Sequence, residues 1–285
     1  MSNDPFGDRM KRYEAVETDR RILHGVPIVG RVDGRAFHRL TSNFDRPYEK
    51  DFSDVMVEVT KYLVTETGAV CGYTQSDEIS IVWSEPIRVH DENGTTRLFH
   101  IEQWFGGKIF KMTSNLASLA TAAFGVLYRT RIDEKKRIPG LLPTFDARVF
   151  AVPNRMEAAA CLWWRELDAT RNSLQMAARA HFSHEQCQDK STSQLHDMLF
   201  DAGINWNDYP AFFKRGTFVQ RRTVERILSK EELENLPPKH EAVRNPDKVI
   251  RHTVISPIEV PPFTYVNNKV GVVFDGEEPK VTEKK

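Results

Sequence analysis

Two acidic residues, Asp77 and Glu78, stand side by side in the segment YTQSDEISIV (73–82), directly before a strand-like run. A third acid, Asp33, follows the hydrophobic segment VPIVGRV (26–32). Acids are depleted in strands and adjacent carboxylates repel each other, so these residues are candidates for chemistry. Paired carboxylates can share a proton in acid–base catalysis, or they can hold Mg²⁺ together with phosphate oxygens. An ordinary turn role is the alternative, because aspartate favours turns.

The elements around these acids have hydrophobic patterns of strand and helix. They follow the order strand, helix, strand, strand, helix, strand, predicted for residues 26–32, 52–67, 69–74, 78–84, 106–130 and 145–153. This β-α-β-β-α-β order predicts an α+β sandwich with a ferredoxin-like antiparallel sheet.

This topology predicts that the acids meet in space. A right-handed crossover makes the first two strands parallel, so the end of the first strand lies at the same sheet edge as the turn after the second. Asp33 occupies the first place, and Asp77 and Glu78 occupy the second. Gly34 has no side chain, so its backbone can approach an ion or a phosphate closely.

The remaining segments are predicted to surround this unit. A helix is expected before it at residues 8–21, and a polar loop or hairpin is expected at 90–98. After it we expect helices at 155–181, capped by Asn154, and at 191–202, strands at 214–224 and 252–256, and a frayed charged end. We therefore divide the chain into a catalytic domain, 1–153, and a packed C-terminal extension, 154–285. Trp163 and Trp164 are predicted to be core residues.

Composition excludes some classes of protein. The 285 residues contain 40 Lys+Arg and 40 Asp+Glu, so a globally basic protein is excluded and nucleic-acid binding would need local patches, as at 129–137 and 214–226. Three widely spaced cysteines favour neither a disulfide framework nor a zinc site. The polar first 15 residues predict no secretory leader, and no apolar run is long enough to span a membrane. A cytoplasmic location is expected.

Several motifs resemble one known family. RVDGRAFHRL (31–40), NFDRP (43–47) and YTQSDEIS (73–80) occur in this order, followed by KIFKMTSNLASLATAAF (108–124), FDARV (145–149) and PAFFKRGTFV (210–219). Together they resemble the tRNA-histidine guanylyltransferase superfamily, the 3′–5′ nucleic-acid polymerases. The paired DGRAFH and QSDE motifs at this separation are specific, whereas either one alone would carry little weight.

The resemblance implies a palm domain like that of polymerases and nucleotide cyclases. It implies two Mg²⁺ ions held by Asp33, Asp77 and the carbonyl of Gly34, with Glu78 as an acidic neighbour in the catalytic set. It implies a nucleotide site formed by Asp33, Gly34, Arg35, Ala36, Phe37, His38, Ser76 and Asp77, with Arg46, Lys108 and Lys111 on phosphates. Within this set, Phe37 is expected chiefly to pack in the core, as is Tyr73.

The implied reaction has two steps and an RNA partner. ATP activates a tRNA 5′-end, and the 3′-hydroxyl of an incoming nucleotide, usually GTP, then attacks it. The resemblance also implies RNA contacts from Asn172, Lys214 and Arg215, and a homotetramer. Phosphoryl transfer depends mainly on positioning and charge neutralisation, which metal ions and basic residues supply.

One motif departs from the family pattern. The eukaryotic tRNA-histidine enzymes carry His-Ile-Asn-Asn-Leu-Tyr-Asn, where this chain has DATRNSLQ (168–175). Only Asn172 and Leu174 match, and Thr170 takes the place of the histidine. This favours the "like-protein" branch, whose members repair 5′-truncated tRNAs. The alternatives are a palm-fold nucleotide cyclase or transferase acting on free nucleotides, and a non-catalytic RNA-binding homologue.

Overall fold

The computed structural model describes residues 4–85, 88–90, 96–98, 103–247 and 249–281. In this part of the chain, one antiparallel sheet has the strand order β6-β1-β3-β2-β7-β8. The strands are β1 Ile28–Gly34, β2 Cys71–Gln75, β3 Glu78–Trp83, β6 Phe145–Ala151, β7 Thr217–Arg226 and β8 Ile250–Ile258. A separate two-stranded ribbon pairs β4 (Arg88–His90) with β5 (Thr96–Leu98).

The described helices are mostly short, apart from four that exceed twelve residues. They are α1 Pro5–Thr18, α2 Phe37–Leu40, α3 Lys50–Thr67, α4 Ile109–Arg131, α5 Arg155–His181, α6 His184–Cys187, α7 Thr192–Asp201, α8 Ala211–Arg215, α9 Lys230–Glu234 and α10 Glu241–Arg244. Helical single turns occur at Trp104–Gly107, Glu134–Lys136, Trp206–Asp208, Phe263–Tyr265 and Gly271–Asp275.

The main core lies between the sheet and helices α3 and α4. Helix α3 buries Val55, Val59 and Leu63, which recur at helical spacing, so one face of the helix is apolar. Helix α4 buries Leu116 and Phe124 in the same cluster. Each fully buried side chain of this kind contributes about 1.5–3 kcal/mol relative to exposure. This layer fixes the sheet from one side.

Helix α5 covers the opposite face of the sheet. Small residues at its contact, Ala158 and Ala159, let the helix approach closely, and Leu162 packs in the same cluster as Val29 and Phe218. Asn154 caps the helix by accepting a hydrogen bond from the backbone N–H of Glu157, 3.0 Å. Side chains of β1 alternate between the faces, so Val29, Arg31 and Asp33 point towards α5.

The ferredoxin-like fold predicted from the sequence is confirmed. The strand order β6-β1-β3-β2 is that of the predicted unit, and β7 and β8 extend its sheet beyond β2. The domain boundary after residue 153 stays a prediction. The strand predicted for 214–224 begins only at Thr217, because α8 ends at Arg215 and Gly216 turns the chain with a φ of 75°.

The structure also bears on the predictions for the hairpin, the tryptophans and the cysteines. The ribbon of β4 and β5 is the small hairpin expected at 90–98, although residues 91–95 lie outside the described part, as does the very end of the chain. The prediction for Trp164 was wrong, because this side chain is 49% exposed. All three cysteines are free. In the described residues, no helix is long and apolar enough to cross a membrane.

Candidate active site

The predicted acids meet at one edge of the sheet, which we call the rim. Asp33 in β1 lies directly opposite Glu78 in β3, and on its other side it lies opposite Asp146 in β6. The backbone N–H of Gly34 donates to the carbonyl of Asp77, 3.0 Å. Antiparallel pairing therefore places three acidic side chains on one face, with Asp77 in the adjoining turn. Sequence reasoning missed Asp146, although the predicted fold pairs the last strand of the unit with the first.

Both turns that carry the rim acids contain a strained residue. Ala36 has a φ of 55° and Ser76 has a φ of 53°, in the left-handed region that non-glycine residues rarely adopt. Each costs about 1 kcal/mol or more, and such strain concentrates at functional sites. The Ser76 hydroxyl also lies 3.2 Å from Oδ1 of Asp77 and donates to it. These two left-handed conformations set the path of the backbone after Asp33 and before Asp77.

Gly34 is required by close packing. A Cβ atom at this position would lie 2.5 Å from the ring of Phe37 and 2.9 Å from Cβ of Asp77. Phe37 is buried among the aromatic rings of Phe124 and Phe145, so it has no room to move away, and its predicted packing role is confirmed. Any side chain at Gly34 would therefore disturb the rim.

The substitution Gly34→Ala is expected to lower activity at least tenfold and to destabilise the fold by about 1–3 kcal/mol, because overpacking displaces Asp77 or Phe37. Urea denaturation and steady-state rates measure both effects. The matched control is Gly125→Ala in the middle of α4, where an added Cβ meets nothing within 4 Å. That control should be neutral or stabilising, since alanine favours helices. Equal behaviour of the two variants would contradict this packing argument.

The rim disfavours ionised carboxylates. Burial, together with the nearby Asp33 and Glu78, raises the pKa of Asp77 to about 6. Burial and the neighbouring charges of Glu78 and Asp146 also raise the pKa of Asp33. Both acids face the same cavity and are poorly compensated by protein cations. A bound divalent cation would remove this penalty.

The donor set fits Mg²⁺ better than zinc or calcium. Mg²⁺ needs only one or two protein carboxylates and completes its shell with water and phosphate oxygens. Among the described residues there is no group of three or more His, Cys, Asp or Glu side chains arranged to hold a metal. Two carboxylates beside a bare glycine backbone match the sparse protein shell of Mg²⁺.

The raised pKa of Asp77 predicts a pH-dependent stability difference between Asp77→Asn and wild type. The folded-state pKa of about 6 lies above the unfolded value of about 3.9, so wild type loses stability as pH rises through this interval. Without divalent cations, the free energy of unfolding of Asp77→Asn should equal that of wild type below pH of about 4. Above pH of about 6 it should be larger than that of wild type by about 1–3 kcal/mol. Urea denaturation in EDTA checks this. A difference that is independent of pH would contradict it.

Glu78 is engaged by arginines. Its Oε1 accepts from Nε of Arg165 at 2.5 Å, and its Oε2 accepts from Nη2 of Arg165 at 2.7 Å and from Nη2 of Arg31 at 3.0 Å. Arg165 also contacts Asp168, 3.0 Å, and both arginines lie over Trp164, at 4.6 and 5.2 Å from the ring centre. This network fastens α5 to the start of β3.

Helix α5 forms the wall opposite the acids. A cavity of about 370 Å³ lies between them, lined by Asp33 and Asp77 on the sheet side and by polar side chains of the helix. The helix contributes Asn172, Gln175, Met176 and Arg179. The spacing 165, 168, 172, 175, 179 is one helical stripe of charged and polar residues. This stripe was the signal in the sequence that could have revealed Arg165 and Arg179, which sequence reasoning missed.

A second, smaller cavity adjoins the first. Its volume is about 90 Å³, and it shares Gln75, Ser76 and Met176 with the rim cavity. Arg46 lines it and is exposed. The side chains of Arg35 and His38 are also exposed on the turn after β1, so they are accessible near the acids.

The two lysines predicted to bind phosphate lie away from the rim. Strand β3 runs from Glu78 at the rim to Trp83 at the opposite edge, where Trp104 stacks on it with ring centres 5.7 Å apart. Lys108 follows this stack, and its ammonium pairs with Asp19, 2.9 Å. The exposed Lys111 is one turn further along α4. Within one chain, the structure does not bring either lysine to the acids.

The predicted RNA contacts differ in accessibility. Lys214 is buried, 9% exposed, and its ammonium donates to the carbonyl of Asn207 and lies over the ring of Trp206. It is therefore used inside the protein rather than offered to RNA. Arg215 is half-buried, with Nε 4.0 Å from Oε1 of Glu166. Asn172 is exposed in the rim cavity.

The antiparallel sheet with helices on both faces is the palm fold that the sequence led us to expect. The family model for tRNAHis guanylyltransferase matches residues 7–153, which is more than half of the chain. The chain belongs to this family.

Relatives and solved structures are consistent with this assignment. The tRNA(His) guanylyltransferase of Schizosaccharomyces pombe is 29% identical over 231 residues, 76% of this chain and 80% of the relative. A bacterial tRNA(His) guanylyltransferase-like protein in complex with ATP is 34% identical with a TM-score of 0.64, covering 76% of this chain and 86% of that one. A bacterial like-protein in complex with GTP is 28% identical with a TM-score of 0.63, covering 94% and 96%.

Proposed function

We propose that the protein is a 3′–5′ nucleotidyltransferase that adds nucleotides, chiefly guanylate, to the 5′-end of tRNA. The observation that carries this is the pair Asp33 and Asp77, two poorly compensated carboxylates that flank the bare backbone of Gly34 in one cavity. Related proteins of the same fold are described in complex with ATP and with GTP, the two nucleotides that the two-step reaction requires.

The rim residues would hold two Mg²⁺ ions. The carboxylates of Asp33 and Asp77 and the carbonyl of Gly34 are the oxygen ligands that Mg²⁺ prefers. When bound, Mg²⁺ supplies charge neutralisation for the triphosphate and for the attacking and leaving oxygens. A bound cation would favour the ionised form of both acids and would therefore lower the raised pKa of Asp77.

Other side chains position the substrates. The backbone of the turn after Asp33, the exposed side chains of Arg35 and His38 and the hydroxyl of Ser76 would contact the nucleotide, while Phe37 stays in the core. The exposed Arg46 would lie near the phosphates. Glu78 is assigned to positioning, because arginines occupy both of its oxygens and hold β3 against α5. Preorganised positioning of this kind accounts for much of the rate enhancement in phosphoryl transfer.

We place the chain in the branch that repairs 5′-truncated tRNA. Thr170, at the position of the family histidine, directs its hydroxyl to the carbonyl of Glu166, 2.9 Å, rather than into the rim cavity. The similarity to a bacterial like-protein over 94% of this chain supports the same placement. A homotetramer and a cytoplasmic location stay predictions from the family resemblance.

The RNA dependence of GTP consumption tests the function. Labelled GTP, ATP and Mg²⁺ are incubated with the protein, with and without a tRNA transcript that carries a 5′-monophosphate. We expect label in the RNA and little GTP consumption in its absence. Equal consumption without RNA would contradict the proposal and favour a cyclase or a transferase of free nucleotides. A protein that binds tRNA without any turnover would favour the non-catalytic alternative.

A further inference from the structure

Arg179 ends the polar stripe of α5 at the rim cavity. It lies in the last turn of the helix, it is exposed, and it lines the cavity together with Asp33 and Asp77. In the part of the chain that the structure describes, its guanidinium makes no hydrogen bond or ion pair. The other arginine of the cavity, Arg165, is already paired with Glu78 and Asp168.

The charges of the cavity do not cancel by direct contact. Glu78 is neutralised by its arginines, but Asp33 and Asp77 form no ion pair with any described cation, although Arg179 lines the same 370 Å³ space. Opposite charges thus face each other across the cavity without touching. A group that satisfies both walls must be anionic towards Arg179 and must bind the acids through a divalent cation. A phosphate meets both conditions.

We propose that Arg179 binds a phosphate of the substrate across the cavity from the rim acids. The inference rests on the proposed function, because it assumes that the cavity holds phosphorylated substrates. Arginine suits this position, since its planar guanidinium can donate two parallel hydrogen bonds to phosphate oxygens. Two sources share this chemistry, the triphosphate of a nucleotide and the 5′-phosphate of the RNA.

A purely structural role for Arg179 makes a different prediction. A cation in the last turn of a helix interacts favourably with the helix dipole. His181 occupies the same turn, so the loss of Arg179 would leave one group there that can carry positive charge. A dipole role would change stability alone, whereas the proposed role changes the affinity for phosphorylated ligands.

Binding measurements distinguish these roles. Arg179→Ala and Arg179→Lys are compared with wild type, with Ca²⁺ in place of Mg²⁺ to slow turnover. Arg171→Ala is the matched control, because Arg171 is an exposed arginine on the same helix that pairs with Asp168, 2.7 Å. The ligands are GTP and guanosine, and one tRNA transcript with a 5′-monophosphate or a 5′-hydroxyl. Fluorescence-based titration gives each Kd.

We expect Arg179→Ala to weaken the binding of one phosphorylated ligand about 10- to 100-fold, as for the loss of a charge-assisted bidentate contact. Binding of the matching ligand without the phosphate should be unchanged. The ligand affected identifies the source, and Arg179→Lys should retain part of the affinity. The Arg171→Ala control should bind like wild type.

The proposal would be overturned if Arg179→Ala lost equal affinity for the ligands with and without the phosphate, or lost no affinity at all. It would also be overturned if wild type bound the two ligands of each pair equally well. The result is separable from the proposed function. A wild type that binds GTP through Arg179 but adds nothing to RNA would refute the proposed function and leave the role of Arg179 standing.

Discussion

Replacing either Asp33 or Asp77 by asparagine is expected to lower nucleotide addition about a thousandfold and to leave the protein folded. Each carboxylate would hold Mg²⁺, whose charge neutralisation is worth several kcal/mol in the transition state, and each 1.4 kcal/mol is about tenfold in rate. Neither acid forms an ion pair among the described residues, so the fold loses no such contact. Single-turnover rates with tRNA, GTP, ATP and Mg²⁺ measure the effect, and circular dichroism checks the fold.

Asp146 provides the matched control. It stands directly opposite Asp33 on the same rim, but its side chain is 57% exposed and pairs loosely with Arg148, 3.4 Å. Asp146→Asn should keep activity within a few-fold of wild type, because exposed ion pairs contribute little. If all three variants lost activity equally, a general field effect of the acidic rim would replace the specific roles of Asp33 and Asp77.

Removing Arg165 is expected to produce the largest loss of stability. Arg165→Ala would leave Glu78, whose side chain is 17% exposed, with Arg31 alone and close to two other acids. Breaking such a half-buried pair leaves a carboxylate poorly compensated and costs about 2–4 kcal/mol. Part of this loss reflects the packing of the Arg165 stem against Trp164. Urea denaturation at neutral pH measures it.

The double variant Glu78→Gln with Arg165→Ala separates charge from packing. Glu78→Gln removes the carboxylate, so Arg165→Ala then leaves no uncompensated charge. The double variant should therefore lose less stability than the sum of the two single losses, by at least about 1 kcal/mol. Arg171→Ala, which breaks only an exposed pair with Asp168, should cost less than about 1 kcal/mol. Strict additivity of Glu78→Gln and Arg165→Ala would show that the ion pair does not couple them.

The sequence predicted the elements that local rules determine. The 3.6-residue spacing of Val55, Val59 and Leu63 indicated α3, and the handedness of the strand crossover placed Asp33 beside Glu78. These inferences succeed because the period of burial and the hand of the connection are set by the backbone. They do not depend on the identity of distant partners.

The contacts of α5 with the rim could not be predicted in the same way. Glu78 and Arg165 are separated by 87 positions, and the pairing depends on how the helix is rotated on the sheet. The exposure of Trp164 follows from the same rotation. The position of Lys108 away from the rim, in contrast, could have been predicted from the topology. A helix that follows β3 begins where β3 ends, and β3 runs away from the rim.

The direction of chain growth tests the central claim most directly. A 5′-truncated tRNA transcript with a 5′-monophosphate is incubated with wild-type protein, ATP, α-³²P-labelled GTP and Mg²⁺, and nuclease mapping then locates the label. If the rim catalyses 3′–5′ addition, the RNA should be lengthened with all of the label at the 5′-end, and Asp77→Asn should form no such product. Label at the 3′-end, or 5′-labelled product formed equally well by Asp77→Asn, would contradict the assignment of the rim as the site of 3′–5′ addition.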